Sequence, residues 1–132
     1  MREKKNFLFF LVFLLSILFF SSCKDIPGNE DIIKYINRKY SKIGEIENFK
    51  RINGYQTKDG YYIVEYQFDL VLNIDKLRKI RKLKNPLKTL PYTTLLLLVS
   101  IQCPEILEGE DRCTIQERTK FVKSEKGWFP IE

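Results

Sequence analysis

The clearest pattern in the chain lies between residues 62 and 74. Tyr62, Val64, Tyr66, Phe68, Leu70, Leu72 and Ile74 occupy every second position, and Ile63, Glu65, Gln67, Asp69, Val71 and Asn73 fall between them. Successive strand side chains point to opposite faces, so this spacing predicts a long half-buried strand with one aromatic and aliphatic face. A helical pattern precedes it. Ile32, Ile33, Ile36 and Tyr40 recur at helical spacing, with Lys34, Asn37, Arg38 and Lys39 opposite. This predicts a helix over about 30–42, capped by Asn29 and ended by Gly44. Glu30 and Asp31 sit in its first turn, where the helix dipole favours negative charge. Residues 45–56 alternate weakly and predict an irregular strand, and Lys58-Asp59-Gly60 is a hairpin-turn signal. A second strong strand is predicted over 91–103, with Thr93, Leu95, Leu97, Val99, Ile101 and Cys103 on one face and Leu96 and Leu98 making the other apolar too. The last predicted strand covers 113–123, where Cys113, Ile115 and Phe121 share a face that Glu117 and Thr119 interrupt. Residues 124–127 form a turn, and Trp128-Phe129-Pro130 closes the chain, with Trp128 read as core or lid packing in preference to a ligand platform.

One helix followed by these strands predicts an α+β fold, in which an N-terminal helix packs on a curved antiparallel sheet of about four strands. The order of elements resembles a cystatin-like or small NTF2-like architecture. That resemblance rests on no specific motif and implies nothing about function.

The first 22 residues read differently. Residues 1–6 are a basic stretch holding Arg2, Lys4 and Lys5, residues 7–20 are apolar except for Ser16, and Ser21-Ser22-Cys23 follows. This is the layout of a secretory signal peptide. An uncleaved transmembrane anchor is the rival reading. Fourteen helical residues reach only about 21 Å against a hydrocarbon core of about 30 Å. Phe20-Ser21-Ser22-Cys23 resembles the lipobox of bacterial lipoproteins, in the relaxed form seen in spirochaetes, where Phe20 stands at the usual leucine position. The resemblance covers residues 1–23 and implies that Cys23 carries a diacylglyceryl group after cleavage. Two or three acyl chains then make a stable anchor. A plain secreted protein is the alternative. The predicted organisation is a signal peptide at 1–22, a lipidated tether at 23–28 and a single domain at 29–132.

The leader changes how the cysteines are read. Three occur, and lipidation of Cys23 leaves Cys103 and Cys113, separated by the nine residues PEILEGEDR. An even remainder in an oxidising compartment favours a disulfide, with two free buried thiols as the alternative. The spacing fits no C-x-x-C redox motif, and two cysteines without histidine do not complete a tetrahedral metal site.

Charge singles out one segment. The chain is +6 overall, a mild bias that does not by itself argue for nucleic acid. Seven basic residues (Lys76, Arg78, Lys79, Arg81, Lys82, Lys84 and Lys88) fall within thirteen positions, and no acidic residue occurs from 76 to 104. Ile74, Leu77, Ile80, Leu83 and Leu87 recur at intervals of three, three, three and four, which predicts a short amphipathic helix broken by Asn85-Pro86 and Pro91. Three roles fit such a segment: contact with anionic lipid head groups, contact with an acidic envelope partner, or a merely solvated face. Nucleic acid fits the predicted compartment poorly.

Chemistry is hard to find. The chain has no histidine, which removes Ser-His and Cys-His nucleophile pairs. Glu65 and Asp69 share a strand face, but four strand residues separate them by about 13 Å, beyond a glycosidase pair. Glu105, Glu108, Glu110 and Asp111 crowd one loop without the order of an EF-hand. The expectation is therefore a membrane-anchored envelope lipoprotein without enzymatic activity or cofactor, in a binding or assembly role. The alternative is a small apolar-ligand domain with a pocket lined by Tyr62, Tyr66 and Phe68.

Overall fold

The computed structural model describes residues 2–20 and 25–131. A helix α1 (Arg2–Phe20) covers the leader, and the elements after it run α2 (Asn29–Tyr40), β1 (Gly44–Gln56), β2 (Tyr62–Leu72), α3 (Ile74–Arg81), α4 (Pro86–Gln102), a 3-10 turn (Pro104–Glu108), β3 (Arg112–Ser124) and β4 (Gly127–Ile131). The strands form one antiparallel sheet in the order β1-β2-β3-β4. The expected α+β class is the observed one. Among the described residues no helix is long and apolar enough to cross a membrane.

The alternation in β2 is realised. Val64, Tyr66, Phe68, Leu70 and Leu72 are buried on one face, and Cys113, Ile115, Thr119 and Phe121 of β3 join them. Helix α2 covers this face with Ile32, Tyr35, Ile36 and Tyr40. Its cap differs from expectation. Gly28 holds the cap position, and its N–H donates to Asp31 Oδ2 at 3.1 Å, so Asn29 begins the helix instead of capping it. Nor does Gly44 end the helix, which closes at Tyr40. Gly44 starts β1 at a point where a Cβ would stand 2.3 Å from the Val71 carbonyl oxygen, so only glycine lets the two strands approach there.

The weak alternation of β1 has a physical cause. Ile46, Phe49, Ile52 and Tyr55 are three apart, a spacing no straight strand can keep on one face. Two register shifts, between Glu47 and Lys50 and between Arg51 and Asn53, each insert a residue. Asn48 takes φ 52° at the first, and its side chain donates to Asp69 Oδ2 at 2.8 Å. Ile46 and Phe49 thereby both reach the core, while Ile52 and Tyr55 remain exposed.

The largest correction concerns residues 91–103. They form the body of helix α4, and the fourth strand is the terminal β4. Four consecutive leucines satisfy a period of two and a period of 3.6 equally, so alternation there carries no information. The local chemistry settles the outcome. Asn85 caps the helix by accepting from the Leu87 N–H at 2.9 Å, and Pro86 occupies the first turn, where its missing N–H costs nothing. Pro91 lies within the helix instead of breaking it. Thr93 and Thr94 hydroxyls donate to the carbonyls of Thr89 and Leu90, four residues back. The strand predicted over 62–74 also stops early, because Asn73 caps α3 by accepting from the Lys76 N–H at 3.0 Å.

Helices α3 and α4 thus form an excursion between two strands that are neighbours. The Leu72 N–H donates to the Asp111 carbonyl at 2.7 Å, so the excursion leaves and re-enters the sheet at one point. Val99 of α4 is buried, and Leu77, Ile80, Tyr92, Leu95 and Leu96 pack against the core from outside.

Candidate functional site

The sequence pointed to four places: Cys23, the cysteine pair, the basic stretch and the aromatic face of β2. Cys23 lies outside the described residues. The described residues resume at Asp25. Asp25 accepts from Trp128 Nε1 at 3.2 Å and pairs with Lys123, and the Pro27 carbonyl accepts from Arg51 Nη1 at 2.7 Å. Asp25 is therefore bound to the end of the sheet where β3 turns into β4, and Pro27 follows it against β1.

The cysteine pair is brought together, though not on two strands. Cys103 caps the C-terminus of α4 and Cys113 sits on β3, with Cα atoms 6.0 Å apart, at disulfide distance. The pair ties the end of α4 and the following acidic turn to the sheet.

The aromatic face of β2 is filled. Tyr66 and Phe68 are buried beneath α2, and Tyr40 packs against Phe68 with ring centroids 5.4 Å apart. Tyr62 stands at the rim, 6.1 Å from Trp128.

A polar cluster that sequence reasoning passed over lies at the edge of that core. Glu117 and Thr119 occupy inward positions of β3. Glu117 Oε1 accepts from Lys39 Nζ at 3.0 Å and from the Tyr40 hydroxyl, and its Oε2 accepts from the Tyr66 hydroxyl at 3.2 Å. Tyr66 and Thr119 hydroxyls share a further bond of 2.7 Å. Burial, reinforced by the Glu117 carboxylate, holds the Tyr40 phenol far above its ordinary range. Burial also raises Tyr66, only partly offset by the bond to Thr119. Neither phenol ionises near neutral pH. Every polar atom of the cluster faces another, so it works as a latch between α2 and β3. The signal was present in the sequence: two polar residues on the inward register of an otherwise apolar strand need partners.

A cleft of about 510 Å³ opens beside the latch, between α2 and the β3 edge that the short β4 leaves uncovered. Two of the three cations that line it are engaged. Lys39 holds Glu117, and Lys120 lies over the Tyr61 ring at 4.5 Å.

The basic stretch is the most exposed of the three described places. Lys76 ties α3 to the Ser41 carbonyl at 2.7 Å, and Arg78 meets Asp75 at 3.7 Å. Lys79, Arg81, Lys82, Lys84 and Lys88 are exposed and make no ion pair among the described residues. Beside them α4 carries a feature hidden by reading it as a strand. Leu87, Leu90, Leu97, Leu98 and Ile101 face solvent, each between 51% and 79% exposed. The helix is apolar on its buried face and on its outer face.

The two ends of the sheet are thus distinct. Asp25 is docked on Trp128 and on Lys123, two residues past Phe121, and the excursion leaves from Leu72. Tyr62, which pairs with Phe121, and Leu72 are ten strand steps apart, about 33 Å. Lys42 over the Tyr92 ring, 5.4 Å from its centroid, keeps α4 at the far end.

Comparison of the chain with family models, curated proteins and solved structures finds no match.

Proposed function

We propose that this protein is a lipid-anchored component of the bacterial cell envelope that acts by binding, without catalysis, and that its binding surface is the α3–α4 excursion. Anchoring rests on the leader and the lipobox-like Phe20-Ser21-Ser22-Cys23. The single observation that carries the binding role is the excursion's outer surface, where an exposed apolar row on α4 lies beside unpaired basic side chains. Large apolar surface left in water in this way marks an interaction site. The filled β2 face weighs against the alternative of an enclosed apolar ligand.

Docking of Asp25 and Pro27 onto the sheet leaves little free chain after Cys23. With lipid on Cys23, the β3–β4 end sits at the membrane, and the excursion projects to the far end, about 33 Å away over ten residues of β2. That is several Debye lengths at physiological salt. The geometry therefore favours an acidic envelope partner over lipid head groups for Lys79, Arg81, Lys82 and their neighbours. Within this reading Cys103 and Cys113 are oxidised.

Metabolic labelling with palmitate tests the anchor: wild type takes up label and Cys23→Ala does not. Equal labelling of both overturns the anchor. Flotation of residues 24–132, without leader or lipid, with anionic vesicles tests the orientation. Failure to float is the expected result. Flotation that disappears on Lys79→Gln/Arg81→Gln/Lys82→Gln would instead return the basic stretch to the membrane surface.

A further inference from the structure

We infer that the partner of the α4 outer face is α4 of a second copy of this chain, packed antiparallel about a two-fold axis at Thr94. The inference rests on the reading of the excursion as a binding surface and names its occupant. Three observations carry it.

The first is spacing. Leu87, Leu90, Thr94, Leu97 and Ile101 follow one another at intervals of three, four, three and four. That is the a/d rhythm of a helix seam that interlocks with another helix. The row is about 21 Å long, and its residues other than Thr94 are aliphatic. The second is symmetry. With Thr94 on the axis, an antiparallel copy sets Leu87 against Ile101, Leu90 against Leu98 and Pro91 against Leu97. The same patch serves both subunits, as a two-fold interface requires. Thr94 is the one hydroxyl in the seam, and it donates to the Leu90 carbonyl of its own helix at 2.9 Å. It enters an apolar contact with no donor left unmet.

The third observation is charge. The N-terminal end of α4 is basic, with Lys82, Lys84 and Lys88, and the turn beyond its C-terminal end is acidic, with Glu105, Glu108, Glu110 and Asp111. All seven are exposed, and none makes an ion pair among the described residues. Antiparallel packing sets each basic end against the other copy's acidic end, whereas parallel packing would set like against like. The Cys103–Cys113 pair holds the acidic turn in place for this. An anionic membrane lacks that complementarity, since it would attract one end of the row and repel the other.

Cross-linking in membranes of cells expressing the full chain tests the proposal. Thr94→Cys with a short bifunctional maleimide should give a band at twice the monomer mass, and Lys58→Cys, in the β1–β2 turn, should give none. Lys84→Glu/Lys88→Glu in the Thr94→Cys background should lose the band. So should Glu105→Lys/Glu108→Lys. Co-expression of the two charge-reversed chains should restore it, because each then meets opposite charge at both ends. Thr94→Cys that stays monomeric overturns the proposal, including when position 94 is shielded from a hydrophilic maleimide, which would mean lipid covers the row. A band of any other mass also overturns it, in favour of a different protein. Palmitate labelling of the same chains is independent of these results, so loss of the dimer and loss of the anchor are read separately.

Discussion

The β2–β3 pair and the excursion between those strands are built from similarly apolar sequence and behave in opposite ways. Along β2 every second side chain enters the core and its neighbours face outward. Along α4, Val99 is buried while Leu97, Leu98 and Ile101 around it stand in water. A strand with one packed face uses its apolar residues once. A helix that is apolar all round keeps half of them available for something else. Apolar content therefore means burial in the first region and exposed apolar surface in the second.

The largest test of this contrast is a pair of truncations. Phe68 is fully buried, and Phe68→Ala should cost about 3–5 kcal/mol through the cavity it leaves. Leu97 is 60% exposed, and Leu97→Ala should change monomer stability by about 0.5 kcal/mol or less. Urea unfolding of both variants under dilute, monomeric conditions measures the difference. A large loss for Leu97→Ala would mean that the outer face of α4 is part of the monomer's core.

The cysteine pair joins the two regions, and its removal should separate them. Cys103→Ser/Cys113→Ser opens a short loop, which should cost about 2–3 kcal/mol by the loss of chain constraint. Hydrogen exchange should speed up first in residues 104–111 and at the end of α4, before β2 is affected. Mass measurement after thiol blocking without reductant checks the premise, since an oxidised pair takes up no label.

The Glu117 latch locates stability on the α2 side. Glu117→Gln removes the ion pair with Lys39 and the carboxylate that accepts from two phenols. It should cost about 1–3 kcal/mol. The phenols also set an alkaline limit. Burial keeps Tyr40 and Tyr66 neutral in the fold, above the ordinary tyrosine range. A pKa raised on folding means that the stabilisation is complete below about pH 10, where unfolded tyrosine titrates, and is lost as pH rises beyond it. Tyrosinate absorbance should show these two phenols ionising only together with unfolding, and Tyr66→Phe should remove part of that dependence.

How far the sequence revealed the structure follows the same division. The α+β class, α2, the irregular β1 and the whole of β2 were legible, because each has one packed face and a matching period. The 91–103 segment was not, because Leu95–Leu98 fit either period and the deciding features were the Asn85-Pro86 cap and hydroxyls bonded back along the helix. Counting cysteines points to Cys103 and Cys113, which lie at disulfide distance, although Cys103 caps α4 and is not on a strand. The docked position of Asp25 depends on Trp128 and Lys123, about a hundred residues later, and no local pattern encodes such a contact. The exposed row on α4 has no regular spacing while 91–103 reads as a strand. Once the segment is helical, its spacing is readable from the residues alone.

A small effect is also expected on the solvent face of the sheet, where polar groups contribute little. Asp69 accepts from the Asn48 side chain at 2.8 Å and from the Thr114 hydroxyl at 2.7 Å, and Arg112 lies 3.7 Å away. These bonds, Asn48 first, hold its carboxyl below the ordinary aspartate range. The sign follows from linkage: a depressed folded pKa gives stability that is present above about pH 4 and is lost as pH falls through the folded value. Asp69→Asn should therefore cost about 1 kcal/mol or less at neutral pH, and the difference from wild type should shrink as the pH is lowered below 4. Thermal unfolding of the two chains between neutral and acid pH reads this directly. A difference that stays constant across that range would mean that Asp69 contributes by hydrogen bonding alone. The bulge at Asn48, which puts Asp69 within reach, would then be fixed by shape and not by charge.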